Sequence, residues 1–255
     1  DFEGAFFNTD DFKLHTTKLG KGTFGTVYVS ENIKDGTQYA IKIFDCDKGF
    51  NGHQQMLLLR ESLILHKLNH PSIVKFKGVN FQSFSDPTKL EPSIITEYLP
   101  HGSLKDNLDK EKRCIADHQW SNTKKYITLL GISDAMRYLH EKGIIHRDLK
   151  PMNVLIDENY YPRICDFGFS SSLEKSMELT MTGQIGTPLY MAPELLRGDT
   201  NYSPSVDVYA FGILAYEIVS GKEPYNELGE ILPIALANKI ISGYRPQFND
   251  NISPK

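Results

Sequence analysis

Apolar and polar residues alternate along much of the first hundred positions. Phe12, Leu14 and Thr16 fall on every second residue, TVYVS (26–30) is β-branched, and QYAIKIF (38–44) continues the theme. That period and composition predict strands, with Asp35-Gly36 as a hairpin turn between the last two. One leucine-rich run, HQQMLLLRESLILHKL (53–68), predicts a helix stopped by Asn69-His70-Pro71. A further strand, SIITEY (93–98), runs into LPHGS, where Pro100 and Gly102 mark a linker. Beyond it the period lengthens. Leu129, Ile132, Met136 and Leu139 recur at helical spacing before Gly143. Ser203-Pro204 reads as an N-cap with Pro at the first helical position, opening a helix through Val219. With no repeat or low-complexity tract, the pattern predicts a small β-rich lobe hinged to a larger helical one.

Composition narrows the function classes. The chain has 255 residues, 40% hydrophobic and 24% charged, with a formal charge of −4. No Lys/Arg-rich run is present, so there is no footprint for nucleic acid or an anionic membrane. The most apolar stretch, VYAFGILAY (208–216), is far short of the roughly 20 residues a membrane span needs. Cys46, Cys114 and Cys165 are scattered without a CxxC pair, which reads as reduced thiols in an intracellular, cytoplasmic protein without disulfide or zinc. The first residues are acidic, without a basic leader, and the chain starts without Met, so it reads as a cut-out or processed form. The two sequons, at Asn201 and Asn251, then read as chance.

Several short segments carry chemistry. GKGTFG (20–25) is a G-x-G-x-x-G, but a dinucleotide fold needs a helix after it and a Walker loop needs Lys after the last Gly. The strand former TVYVS follows instead, leaving a glycine hairpin whose bare backbone could approach phosphates or simply form a mobile tip. Lys42 sits in an apolar strand and Glu61 in an apolar helix. They suggest one buried ion pair, against the ordinary alternative of two solvated faces. DCDKGFNG (45–52) fails as a calcium loop, because Phe50 and Met56 take positions that require Gly and Glu. In HRDLKPMN (146–153), an extended backbone would place Lys150 on the side of Asp148 and Arg147 on the other. Asp148 could then accept a proton, with Lys150 an electrophile beside it. Asp166, in CDFG after the apolar VLI, and Asn153 supply hard oxygen ligands of the kind Mg²⁺ uses with phosphates.

Taken together, these segments resemble the eukaryotic protein kinase catalytic domain. GKGTFGTV is similar to its glycine-rich loop, AIK at Lys42 to its strand lysine, HRDLKPMN to its catalytic loop, then DFG (166–168), MAPE (191–194) and DVYAFG (207–212) follow in family order. The resemblance implies an α+β bilobal protein kinase fold: a small antiparallel β-sheet lobe with one main helix (1–98) and a larger mainly helical lobe (99–255). It further implies that the second lobe stops before the family's last helices, leaving Glu194 without its arginine partner.

For the site, the resemblance implies ATP and Mg²⁺ as cofactors. Leu19, Val27, Ala40 and Leu155 would sandwich adenine, and the backbone of Glu97 and Leu99 would bond its edge beside the small residue Thr96. Gly20, Gly22 and Gly25 would cover the phosphates, which Lys42, paired with Glu61, would contact. Asn153 and Asp166 would hold Mg²⁺, Asp148 would take the substrate proton and Lys150 would stabilise the transferring phosphate. LKPMN and GTPLYMAPE favour Ser/Thr acceptors on a protein substrate, with Thr187 bonding Asp148 and Lys150. SIITEYLPHGSL and GYRP resemble the tyrosine-kinase-like group of Ser/Thr kinases. A phosphate on Thr180 or Thr182, from an upstream kinase or from autophosphorylation in trans, would pair with Arg147 and order the loop. Cys165 reads as a small buried residue. The alternative function is a pseudokinase scaffold that binds nucleotide or partners without transfer.

Overall fold

The computed structural model describes residues 5–22, 25–45, 52–86, 88–172 and 188–248. Its first part is a five-stranded antiparallel sheet ordered β1-β2-β3-β5-β4. The strands are β1 (Phe12–Gly22), β2 (Gly25–Asn32), β3 (Gln38–Phe44), β4 (Phe76–Gln82) and β5 (Leu90–Glu97), with helix α1 (Gly52–Lys67) between β3 and β4. The predicted hairpin is present: Gly36 has φ +71°, and its N–H donates to Asn32 O at 2.9 Å. Gly tolerates that left-handed backbone without a Cβ clash.

Strand β4 has no counterpart in the hydrophobic pattern. Gly78 and Asn80 interrupt FKGVNFQ, and both are poor strand formers. The structure shows why Gly78 is there. A Cβ on it would meet Ala5 O at 2.6 Å, because the segment around Phe6 runs parallel to the strand. Val79 N–H donates to Ala5 O at 2.7 Å and Phe7 N–H to Val79 O at 3.1 Å. The sheet edge is thereby paired instead of exposed.

The remaining elements are mainly helical: α2 (Leu104–Lys112), α3 (Asn122–Glu141), β6 (Ile144–Ile145), β7 (Val154–Ile156), β8 (Pro162–Ile164), β9 (Ser171–Ser172), α4 (Pro193–Arg197), α5 (Ser205–Ser220) and α6 (Pro233–Ile241). β6 pairs with β9 and β7 with β8. The highly charged α2 escapes a periodicity reading but is fixed at its start by a capping box. Ser103 Oγ accepts from Asp106 N–H at 3.1 Å, and Asp106 Oδ2 accepts from Ser103 N–H at 2.8 Å. At α5 the start signal is displaced by one residue from expectation. Pro204 precedes the helix instead of opening it, while Ser203 Oγ accepts from Ser205 N–H at 3.2 Å. Gly221, at φ +66°, ends α5 in the left-handed cap that favours glycine.

One continuous core joins the sheet to the helices: Phe44, Leu58 and Ile94 connect through Leu99 and Ile132 to Phe167 and Leu214. A second, smaller core of Ile213, Tyr225, Leu236 and Ile240 seats α6 on α5. Among the described residues no helix is long and apolar enough to cross a membrane. Cys114 and Cys165 are free thiols, and Cys46 lies outside the described residues.

Candidate active site

Three chain-distant elements converge on one charged cluster. Lys42 projects from β3, paired with Val27 on β2 and Ile94 on β5. Its Nζ donates to Glu61 Oε2 at 2.8 Å and Oε1 at 3.1 Å, and lies 3.4 Å from Asp166 Oδ1. The ordinary alternative of two solvated faces is thus excluded. Burial works to lower the Lys42 ammonium, but Glu61 and Asp166 outweigh it and raise it well above its ordinary value. The same burial lifts the Glu61 carboxyl against the pull of Lys42. Asp166 is half-buried; desolvation works against its charge, yet Lys42, His146 and Lys150 hold its carboxyl below the usual range, so it stays ionised at neutral pH.

The catalytic-loop stretch is not extended, which corrects the geometry assumed from sequence. Arg147 takes φ +71°, Asp166 takes φ +63°, and Pro151–Asn153 form a 3-10 turn. Non-Gly residues rarely adopt such φ, and outliers of this kind concentrate at functional sites. Lys150 nonetheless shares the side of Asp148: its Nζ donates to Oδ2 at 2.7 Å and Oδ1 at 2.9 Å. Asn153 Nδ2 donates to the backbone O of Asp148 and to Oδ2, both at 2.8 Å. The amide's donor end is therefore committed to Asp148, and its carbonyl end is the one available to a cation.

A residue that sequence reasoning passed over organises this loop. Asp207 on α5 is fully buried and accepts from His146 N–H and Arg147 N–H at 2.8 Å each and from His140 Nε2 at 2.9 Å. Burial pushes its carboxyl up, but the His140 hydrogen bond, the nearby His146 ring and the two backbone N–H groups more than offset it, leaving it below the usual range. The available signal was a carboxylate in the otherwise apolar VDVYAFGIL, the same oddity that exposed Lys42 and Glu61. His146 also supports the site. Its Nδ1 accepts from Asp148 N–H at 3.3 Å, which assigns the proton to Nε2 and makes it the donor to Cys165 O at 3.1 Å. The fully buried Phe167 ring stands edge-on to it at 5.1 Å. Burial, with Asp166 beside it, pushes the Cys165 thiol far up, so it is not a thiolate.

The residues predicted to line a nucleotide cleft are placed as follows. Ala40 is buried and paired with Thr96 on β5, Leu99 is buried, Val27 and Leu155 are half-buried, and Leu19 is exposed. Glu97 N–H donates to Lys75 O at 3.0 Å, so only its carbonyl can serve a ligand's edge. The glycines divide by cause. A Cβ on Gly25 would meet Ile43 O at 2.2 Å, so folding alone demands Gly there, whereas a Cβ on Gly20 meets nothing within 4 Å. Gly22 pairs with Gly25 across the hairpin.

Thr180, Thr182 and Thr187 lie outside the described residues. Among the described residues Arg147 Nε and Arg60 Nη1 are buried without a hydrogen-bond partner, and Arg147 packs over the Tyr202 ring at 4.7 Å. Burial lowers Arg60, and the positive charge of Arg147 lowers it further. Two neighbouring guanidinium groups with unmet donors form a site suited to an anion. Glu194 accepts from Ser205 Oγ at 3.4 Å and has no ion-pair partner among the described residues.

An ion-paired strand lysine, a glycine hairpin and a carboxylate–lysine–asparagine loop held over a buried Asp are groups of the kind that phosphoryl-transfer sites use. The family model of the protein kinase domain matches residues 14–252. A protein of Dictyostelium discoideum named as a probable serine/threonine-protein kinase is 40% identical over 226 residues, covering 88% of this chain and 23% of its own length. Serine/threonine-protein kinase CTR1 of Arabidopsis thaliana is 36% identical over 220 residues, covering 86% of this chain and 25% of its own length. Dual specificity protein kinase shkB of Dictyostelium discoideum is 34% identical over 238 residues, covering 91% and 34%. The chain belongs to the protein kinase domain family and has its bilobal α+β fold. It spans about a quarter of the length of the first two of these relatives.

Proposed function

We propose that the chain transfers the γ-phosphate of ATP to serine and threonine hydroxyls of proteins. The observation that carries this reading is the joint presence of two charge clusters, Lys42–Glu61–Asp166 and Asp148–Lys150–Asn153, tied together where Cys165 N–H donates to Asn153 O at 2.9 Å. A scaffold has no chemical need for all six, and no described residue favours that alternative. Lys42, fixed by Glu61, positions the α- and β-phosphates. Asp148 orients the acceptor hydroxyl and takes its proton, and Lys150 offsets charge on the transferring group. Leu19, Val27, Ala40 and Leu155 grip the adenine, Thr96 borders it, the Glu97 carbonyl and Leu99 backbone bond its edge, and the bare backbone of Gly20 and Gly22 admits the phosphates.

The ionised Asp166 carboxylate and the Asn153 carbonyl fit Mg²⁺, which commonly takes one or two protein oxygens and keeps the rest for water and phosphate. They would hold it, and it would supply charge neutralisation for the phosphates. We place the lobe boundary at 98/99, the location in the cytoplasm, and the chain among the tyrosine-kinase-like Ser/Thr kinases that act in signalling. The unmet donors of Arg147 and Arg60 support control by a phosphate on Thr180 or Thr182, placed by an upstream kinase or in trans. Incubation with γ-labelled ATP, Mg²⁺ and a protein acceptor, followed by phosphoamino-acid analysis, tests the reading. Label on serine and threonine is expected. Label confined to tyrosine, or none at all, contradicts it.

A further inference from the structure

We propose that Tyr202 is a positioning residue for the Arg60–Arg147 anion site. Its ring holds the Arg147 guanidinium without taking the hydrogen bonds that a phosphate on Thr180 or Thr182 would use. The inference deepens the phosphate control proposed above and rests on it. Arg147 is fixed at both ends. Its backbone N–H donates to the buried Asp207 at 2.8 Å, and its guanidinium carbon lies 4.7 Å from the centre of the Tyr202 ring. An aromatic face attracts a cation electrostatically but does not accept its N–H donors as a carboxylate does. Arg147 Nε accordingly stays buried without a hydrogen-bond partner among the described residues.

Tyr202 is itself held in place. It lies between α4 and α5, half-buried, and packs on the small core of Ile145, Ala192 and Val206. Ile145 leads into the catalytic loop, Ala192 is the N-cap of α4, and Val206 sits in the first turn of α5. The ring is thus part of the frame, and Arg147 leans on it. Charge explains why an aromatic residue suits this position. Arg60 comes close enough from α1 that burial and the positive charge of Arg147 lower it. Neither arginine has an ion-pair partner among the described residues. A carboxylate at position 202 would pair with Arg147 in a fork and cancel the charge that a phosphate needs. A phosphate monoester brings nearly two negative charges and three acceptor oxygens at neutral pH, which matches two guanidinium groups.

The test uses the full chain after phosphatase treatment, with inorganic phosphate titrated against chloride at matched ionic strength. A ligand that binds only the folded form raises the melting temperature, so the titration yields an apparent affinity. Phosphate is expected to stabilise the parent and Tyr202→Phe alike, because the ring face is kept. Tyr202→Leu should bind phosphate at least ~5-fold more weakly, the loss expected when a partly desolvated cation–π contact is removed. Melting in chloride alone reads any loss of folding separately. A semisynthetic chain with phosphothreonine at 180 and 182 is expected to respond no further, since its own phosphate fills the site. Absence of a phosphate response in the parent, an undiminished response in Tyr202→Leu, or a lost response in Tyr202→Phe overturns the proposal. So does a full response in the semisynthetic chain, which would assign the site to a phosphate from outside. The binding measurement needs no transfer. A ring-dependent phosphate response in a chain that transfers no label would leave this inference standing and sink the kinase reading.

Discussion

Two buried carboxylates anchor this molecule in opposite ways. Glu61 is satisfied by a single flexible cation, Lys42, which it shares with Asp166 across three elements. Asp207 is satisfied by two backbone N–H groups and a histidine, all fixed within 2.9 Å. The first arrangement can be taken apart by a small shift of α1, at the cost of an unpaired charge. The second cannot be changed without unmaking the catalytic loop. The difference separates groups placed by charge for chemistry from groups placed by hydrogen bonds for architecture. The glycines repeat it, Gly25 serving the fold and Gly20 leaving open space.

Perturbing Asp207 should give the largest loss of stability. Asp207→Ala leaves three buried donors without an acceptor and should cost about 3–5 kcal/mol, read from urea unfolding. Lys42→Met should cost less stability, because the orphaned Glu61 can take up a proton, but should nearly abolish transfer. Unfolding and labelled-phosphate assays on the same preparation would separate the two effects. An equal stability loss in both variants would break the distinction.

Acid should expose the architectural site. The Asp207 carboxyl lies below its ordinary value in the fold. Its contribution is therefore complete above the unfolded value near ~3.9 and is lost as pH falls through the lower folded value. Urea midpoints measured between about pH 6 and 3 should fall less steeply in Asp207→Asn than in the parent chain. The smallest effects concern the glycines. Gly25→Ala should cost about 1–3 kcal/mol from overpacking against Ile43 O. Gly20→Ala should stay within roughly 0.5 kcal/mol, as surface changes do.

Much of the frame was legible from residue order alone. β3 runs over the very residues of QYAIKIF, and α1 starts and ends one residue before its sequence estimate. Those elements advertise themselves because local composition and burial agree. β4 did not, since Gly78 answers to the chain around Ala5 and not to its own strand. α2 was hidden because Leu104 and Leu108 are the only apolar residues in its sequence LKDNLDKEK, too few to show a period although both are buried in the core. At the site, sequence motifs named the residues of the two charge clusters, Lys42–Glu61–Asp166 and Asp148–Lys150–Asn153. They could not reveal the left-handed backbone at Arg147 and Asp166, nor the hub at Asp207, whose hydrogen bonds reach partners 60 or more residues away in sequence.

The most direct test of the central claim is transfer of labelled γ-phosphate by the parent chain and by Asp148→Asn, with ATP binding measured in parallel. A general base is worth roughly 10²–10⁴-fold in rate, so transfer should fall by that factor while ATP affinity is nearly unchanged. Transfer that proceeds equally well without the Asp148 carboxylate would contradict the account.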